Sequence, residues 1–276
     1  MINPSVLDRL QEQFPDSSKR TLQNWIKRER VYLDGIVVEK PHQLVLPDQE
    51  VTLGKKEKTK RVNGVPILYE DRWMIIVNKP AGLLSVPAEN SDMNLLHVLR
   101  EGYRSTTIFP VHRLDRESSG VLLLARGRRS EETFDEMFAA RALTRIYFAI
   151  VEGRLPQDKG TWESFLREKE NYDMELTTEG LGKKAITHFE VIKRSAKFSY
   201  LRLQLETGRK HQIRLHCASA GYPIAGDSRY GAFTDPIKRL CLHAYSLSFI
   251  HPFTQKPLKL IAEVPSPFQK LGIPPL

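Results

Sequence analysis

Asp115 is the residue of this chain best placed to do chemistry without help from a metal. It lies in "VHRLDRESSGVLLLAR", Val111 to Arg126, between Arg113 and Arg116 and close to His112. The polar stretch feeds the continuous apolar run Val121 to Leu124, which has the length of a buried strand and no room for charge. The carboxylate therefore belongs at the mouth of the strand. Neighbouring guanidinium groups would keep it ionised, ready to act as nucleophile or base. The same residues would also serve as a structural Arg–Asp pair closing a turn.

A second concentration of polar groups follows in "LETGRKHQIRLH". Leu201, Leu203 and Leu205 alternate with Arg202, Gln204 and Glu206 as in a half-buried strand, and Thr207-Gly208 marks the exit from the sheet. A helix over 209–220 is expected next, stopped by Gly221 and Pro223. Its start presents Arg209, Lys210, His211, Gln212 and Arg214, which suit an anion or, in the plainer reading, form a solvent-facing basic helix. Tyr147, in "RIYFAIVEG", shares a strand face with Ala149 and Val151, where its ring could stack on a substrate base or simply pack.

Other chemistries find little support. The sequence has no G-x-S-x-G elbow, H-E-x-x-H pair or G-x-x-x-x-G-K-[ST] loop. Cys217, Cys241, His211, His216 and His243 lack paired zinc-ligand spacing, so no metal is expected. Lys and Arg number 42 against 33 Asp and Glu in 276 residues, and the resulting +9 favours a polyanionic partner. No apolar run approaches the roughly 18 residues that span a bilayer, which points to nucleic acid rather than lipid. Two cysteines and an N-terminus unlike a signal peptide fit the cytoplasm.

The elements that must position these groups fall into two blocks. Residues 1–53 read as a small α+β module. It has an amphipathic piece around Val6, Leu7 and Leu10, a helix burying Leu22, Trp25 and Ile26, and a hairpin in "VYLDGIVV". The outer face of that helix carries Arg20, Lys27 and Arg28. Residues 54–65 are basic and polar, as expected of a linker. From 66 to 276, strand-like runs such as "WMIIVNK" and "HAYSLSFI" predict an α+β domain on a mixed or antiparallel sheet. The helix in "SEETFDEMFAARAL" should cover one of its faces, with Ser130 as N-cap.

Six segments, in order, resemble the RluA-type pseudouridine synthases: "NKPAGL", "HRLDRESSG", "RIYFAIVEG", "ETGRKHQIRLH", "GYPIAGDSRYG" and "LHAYSLSFIHP". The resemblance implies a pseudouridine synthase fold and isomerisation of a uridine flipped out of its RNA, with no cofactor. It implies that Asp115 is the catalytic aspartate, that Arg214 pairs with it across the cleft, with Arg113 also favouring its ionised form, and that Tyr147 stacks on the uracil. Tyr147 is also a candidate for taking the proton from carbon 5. His112, Arg113, Arg209, Lys210, His211 and Gln212 become RNA contacts.

The front module resembles a small RNA-binding domain shared with a small-subunit ribosomal protein, although Arg30 and Asp34 replace the usual glycine and asparagine. The resemblance makes Arg20, Lys27 and Arg28 its phosphate contacts. Large-subunit ribosomal RNA is the expected substrate and a monomer the expected state. The alternatives are a synthase acting on transfer RNA, an RNA-binding ribosome-assembly factor without chemistry, and a hydrolase releasing free uracil.

Overall fold

The computed structural model describes residues 3–27, 30–34, 36–38, 40–54, 60–88, 93–170 and 172–271. The chain divides into two compact units, residues 1–58 and 59–276.

In the first unit, helix α1 (Val6–Gln13) starts at a capping box in which Ser5 and Asp8 satisfy each other's backbone N–H groups. Helix α2 (Lys19–Lys27) buries Leu22 and Ile26 every fourth residue, and Trp25 packs beside them against the edge of the Phe14 ring. Strands β1 (Val31–Leu33), β2 (Ile36–Val37) and β3 (Val51–Leu53) form an antiparallel sheet in the order β2-β1-β3. Asp34 turns the hairpin at φ +52°, where its carboxylate accepts the Glu50 N–H at 2.9 Å. Arg30, in place of a small residue, lays its guanidinium 5.6 Å from the Trp25 ring and donates to the Gly54 carbonyl. Arg20 and Lys27 are exposed, whereas Arg28 lies outside the described residues.

The second unit opens earlier than the composition suggests. Basic residues read as linker form β4 (Arg61–Val62), which turns through Asn63-Gly64, both at positive φ, into β5 (Val65–Glu70). Burial of Val62 and Val65 ties this hairpin to the core. The remaining elements are β6 (Met74–Lys79), α3 (Leu95–Tyr103), β7 (Ile108–Pro110), β8 (Ser119–Arg126), α4 (Arg128–Ala139), β9 (Thr144–Glu152), β10 (Lys159–Glu168) and β11 (Met174–Thr177), then β12 (Lys183–Arg194), β13 (Phe198–Leu205), α5 (Gln212–Ser219), β14 (Leu242–Ile250), β15 (Pro257–Ile261) and α6 (Ser266–Lys270). The sheet runs β11-β10-β12-β13-β9-β14-β8-β6-β5-β4, with β15 beside β14 and β7 beside β8. All pairings are antiparallel except β14 with β8, so the sheet is mixed.

Its central strands β6, β8 and β9 are apolar on both faces because both are covered. Leu122 and Leu124 join the core that takes Leu95, Leu96 and Leu99 of α3, whereas Val121, Leu123 and Ala125 join Phe134 of α4. Each such leucine stabilises the fold by roughly 1.5–3 kcal/mol. Two helix starts differ from expectation. Helix α4 begins at Arg128 after Gly127, which supplies the turn at φ +84°, so Ser130 is a buried first-turn residue and not the cap. Helix α5 begins at Gln212 and not at 209, because His211 sits in the left-handed region at φ +54° and cannot continue a helix.

Candidate active site

Entry into β8 fixes where Asp115 can be. Gly120 lies against the Ala244 carbonyl of β14 at φ +119°, a conformation and a closeness that no side chain tolerates. The strand is thus pressed into the sheet from Ser119 onward, and residues 111–118 remain above it as a loop. The "NKPAGL" segment and the residues just after it pin that loop on both sides of Asp115. Ser85 Oγ donates to the Leu114 carbonyl at 2.7 Å and accepts the Leu114 N–H at 3.0 Å. Lys79, fully buried, donates to the carbonyls of Pro80, Leu83 and Arg116, so all three ammonium protons have partners. Burial pulls the Lys79 ammonium down to about 8, against the opposing pull of Asp115. Gly82 N–H adds a bond to the Arg116 carbonyl at 2.7 Å.

Asp115 faces a groove of about 480 Å³ that also exposes Arg145, Tyr147, Gly208, His211 and Arg214. Its side chain keeps 18% of its surface accessible. Arg214 Nη1 stands 3.5 Å from Oδ2 and His211 Nε2 3.8 Å from Oδ1, both long for a charge-assisted hydrogen bond. The carboxylate is thus faced by a fixed cation yet left open to an incoming group.

Arg214 owes its position to Asp227, which the sequence reading did not single out. Nε and Nη2 of Arg214 each donate to an Asp227 oxygen at 2.7 Å, and both side chains are buried. This fork leaves Nη1 turned towards Asp115, while the Tyr230 ring lies 4.9 Å from the guanidinium carbon. Burial alone would pull the guanidinium down, but the hydrogen bonds and charge of Asp227, aided by Asp115, raise it above the ordinary arginine value. His211 Nδ1 meets the Tyr230 hydroxyl at 2.7 Å. Burial and the charge of Arg214 pull its imidazole down to about 4, so it is neutral at pH 7.

Tyr147 comes from β9 and lines the same groove at 7% exposure. Burial raises its phenol above the ordinary tyrosine value, with Arg145 opposing and Asp115 adding to the shift. It is protonated at neutral pH, which favours a packing surface over a ready base.

The other expected contacts divide. Arg113 and Arg209 reach the groove as exposed cations, and Arg209 Nε is bonded to the Lys184 carbonyl. With Leu114 clamped inward, its neighbour Arg113 points outward, so among the described residues Asp115 pairs with Arg214 and stands beside the neutral His211 ring instead. His112 lines the groove, but its Nε2 accepts the Leu123 N–H at 3.0 Å, making the ring a strut of the loop. Gln212 is buried and saturated: it accepts from Thr207 Oγ1 and the Arg209 N–H and donates to Ile186 O and Thr187 Oγ1. Lys210 holds Glu168 and the Tyr172 carbonyl.

The chain is similar to known proteins. The RNA pseudouridylate synthase family model matches residues 73–219, just over half of the chain. The chain belongs to that family. The uncharacterized RNA pseudouridine synthase YhcT of Bacillus subtilis is 33% identical over 264 residues, covering 91% of this chain and 86% of the relative. Ribosomal large subunit pseudouridine synthase D of Escherichia coli K12 is 31% identical over 286 residues, covering 95% and 87%. The human RNA Pseudouridylate Synthase Domain Containing 4 structure superposes with a TM-score of 0.60 at 23% identity, over 72% of this chain and 88% of that one. Domain Containing 1 superposes at 0.58 and 24% identity, over 78% and 98%. The first two relatives carry the family and the latter two the fold. The enzyme is an RNA pseudouridine synthase, an isomerase that moves the glycosidic bond of uridine from nitrogen to carbon.

Proposed function

We propose that this synthase modifies specific uridines of large-subunit ribosomal RNA, with Asp115 as the group that reacts with the flipped nucleotide. The observation that carries the reading is the open carboxylate of Asp115 facing Arg214 at 3.5 Å in a groove of about 480 Å³, room for a base taken out of its stack. The name of the Escherichia coli relative supports the choice of RNA.

In this reading the bond from C1′ to N1 breaks with Asp115 either adding to C1′ or removing the neighbouring ribose proton to give a glycal; we favour the glycal. The uracil turns on the Tyr147 ring and C5 bonds to C1′ as Asp115 leaves C1′ or, on the glycal route, returns the proton to the ribose; the C5 proton is then lost while N1 gains one. Nothing is consumed, so no cofactor takes part. Arg214 sets its charge against the carboxylate, and Asp227 keeps Arg214 in place. The exposed Arg20 and Lys27 of the first unit hold RNA through its phosphates. The work is done in the cytoplasm by a monomer.

Single-nucleotide pseudouridine mapping of total RNA from cells lacking the protein tests the substrate. Loss of specific large-subunit sites, restored by the wild-type chain, supports it. Loss confined to transfer RNA corrects the substrate, and no lost site overturns the reading.

A further inference from the structure

Arg145 differs from the other cations of the groove. Arg214 has Asp227, Arg141 has Glu206, Arg209 has a backbone carbonyl, and Arg113 is exposed to water. Arg145 Nε is buried with no hydrogen-bond partner, and no carboxylate among the described residues lies within ion-pair distance of its guanidinium. It is held by shape alone. The guanidinium carbon lies 5.6 Å from the Phe138 ring, and the group fills the space beside Gly208, where a Cβ would come 2.5 Å from Nη1. Burial pulls the guanidinium below the ordinary arginine value. Nearby His112, pulled down to about 3 by its own burial and by Arg145, brings no charge of its own.

Arg145 is half-buried, and a guanidinium whose Nε is shut off from water without a partner is kept where something from outside completes the group. RNA brings one anion to the groove before reaction starts, its phosphodiester, and a planar guanidinium pairs with two phosphate oxygens at once. Arg145 stands two residues before Tyr147 on β9, so both look into the groove from one strand face, roughly 6–7 Å apart along the chain. That is the length of one nucleotide.

We propose that Arg145 binds a backbone phosphate flanking the target uridine and so anchors the nucleotide whose base lies on Tyr147. The inference rests on the uracil being taken into this groove. Gly208 is then small because Arg145 must lie flat against the chain there.

The test uses a stem-loop RNA carrying a mapped uridine. A neutral methylphosphonate replaces the phosphate on its 5′ or its 3′ side, with a 2′-O-methyl group on the preceding sugar for stability and an all-phosphate control bearing the same methyl group. Dissociation constants are measured for wild type, Arg145→Lys and Arg145→Met, and product formation from the native stem-loop is read in parallel. Arg145→Met should weaken binding of the all-phosphate RNA tenfold or more, with part of the loss recovered by Arg145→Lys. One of the two methylphosphonates should weaken wild type by a similar factor and do no further harm to Arg145→Met. Equal weakening of both proteins at both linkages, or unchanged binding by Arg145→Met, overturns the proposal. Should Arg145→Met fail to fold, wild type decides alone, since indifference to both neutral linkages is also a contradiction. Wild type that binds the stem-loop and forms no pseudouridine refutes the functional reading and leaves the phosphate contact standing.

Discussion

Arg214 gives both prongs of its fork to Asp227 at 2.7 Å and reaches Asp115 with its remaining nitrogen at 3.5 Å. The stronger pair thus aims the weaker one. Asp227 is a positioning residue whose effect on Asp115 passes entirely through the guanidinium.

Replacing Asp227 with Asn keeps the shape and removes the charge that fixes Arg214. The turnover rate should fall at least tenfold while RNA binding stays within a few-fold. Asp227→Ala should in addition cost about 3–5 kcal/mol of stability, the penalty for leaving a buried partner alone. Steady-state kinetics and thermal melting check both. Asn activity within twofold of wild type would remove Asp227 from the account.

Tyr147 contributes a ring face, because burial holds its phenol protonated. Tyr147→Phe should bind RNA about as tightly as wild type, and Tyr147→Ala should lose about 1–3 kcal/mol of binding, the range for stacking on one base. Equal affinity for both variants would contradict stacking.

Four histidines are held neutral by burial: His112 is pulled down to about 3, and His211, His216 and His243 to about 4. In the unfolded chain each returns to about 6.5. Between pH 6.5 and about 4 the unfolded chain therefore binds more protons, and stability falls as pH falls through that window, by at most about 1.4 kcal/mol per pH unit for each histidine. Melting temperatures from pH 7.5 to 5 should decline, and a flat profile would be the contrary result.

Much of this was legible in the sequence because short-range physics decides it. The run Val121 to Leu124 had to be a buried strand, and the alternation through Leu201, Leu203 and Leu205 had to leave the sheet at Thr207-Gly208. What could not be read was which partners arrive from far along the chain. His112 and Gln212 look like groove polar groups until Leu123, Thr207, Ile186 and Thr187 close on them. Asp227 stood within "GYPIAGDSRYG", yet its role needs the helix of Arg214 beside it. Arg145 reads as one more basic strand residue, and only its Nε, shut off from water without a partner, sets it apart. The early start of the second unit was hidden because "RVNG" has the composition of a linker and the turn geometry of a hairpin.

The central claim is that the Asp115 carboxylate performs the reaction. Asp115→Asn preserves size and most packing while removing the charge. Incubated with the RNA that wild type modifies, it should form no detectable pseudouridine and still bind that RNA within a few-fold of wild type. Pseudouridine formed by the Asn variant at a rate comparable to wild type would contradict the account.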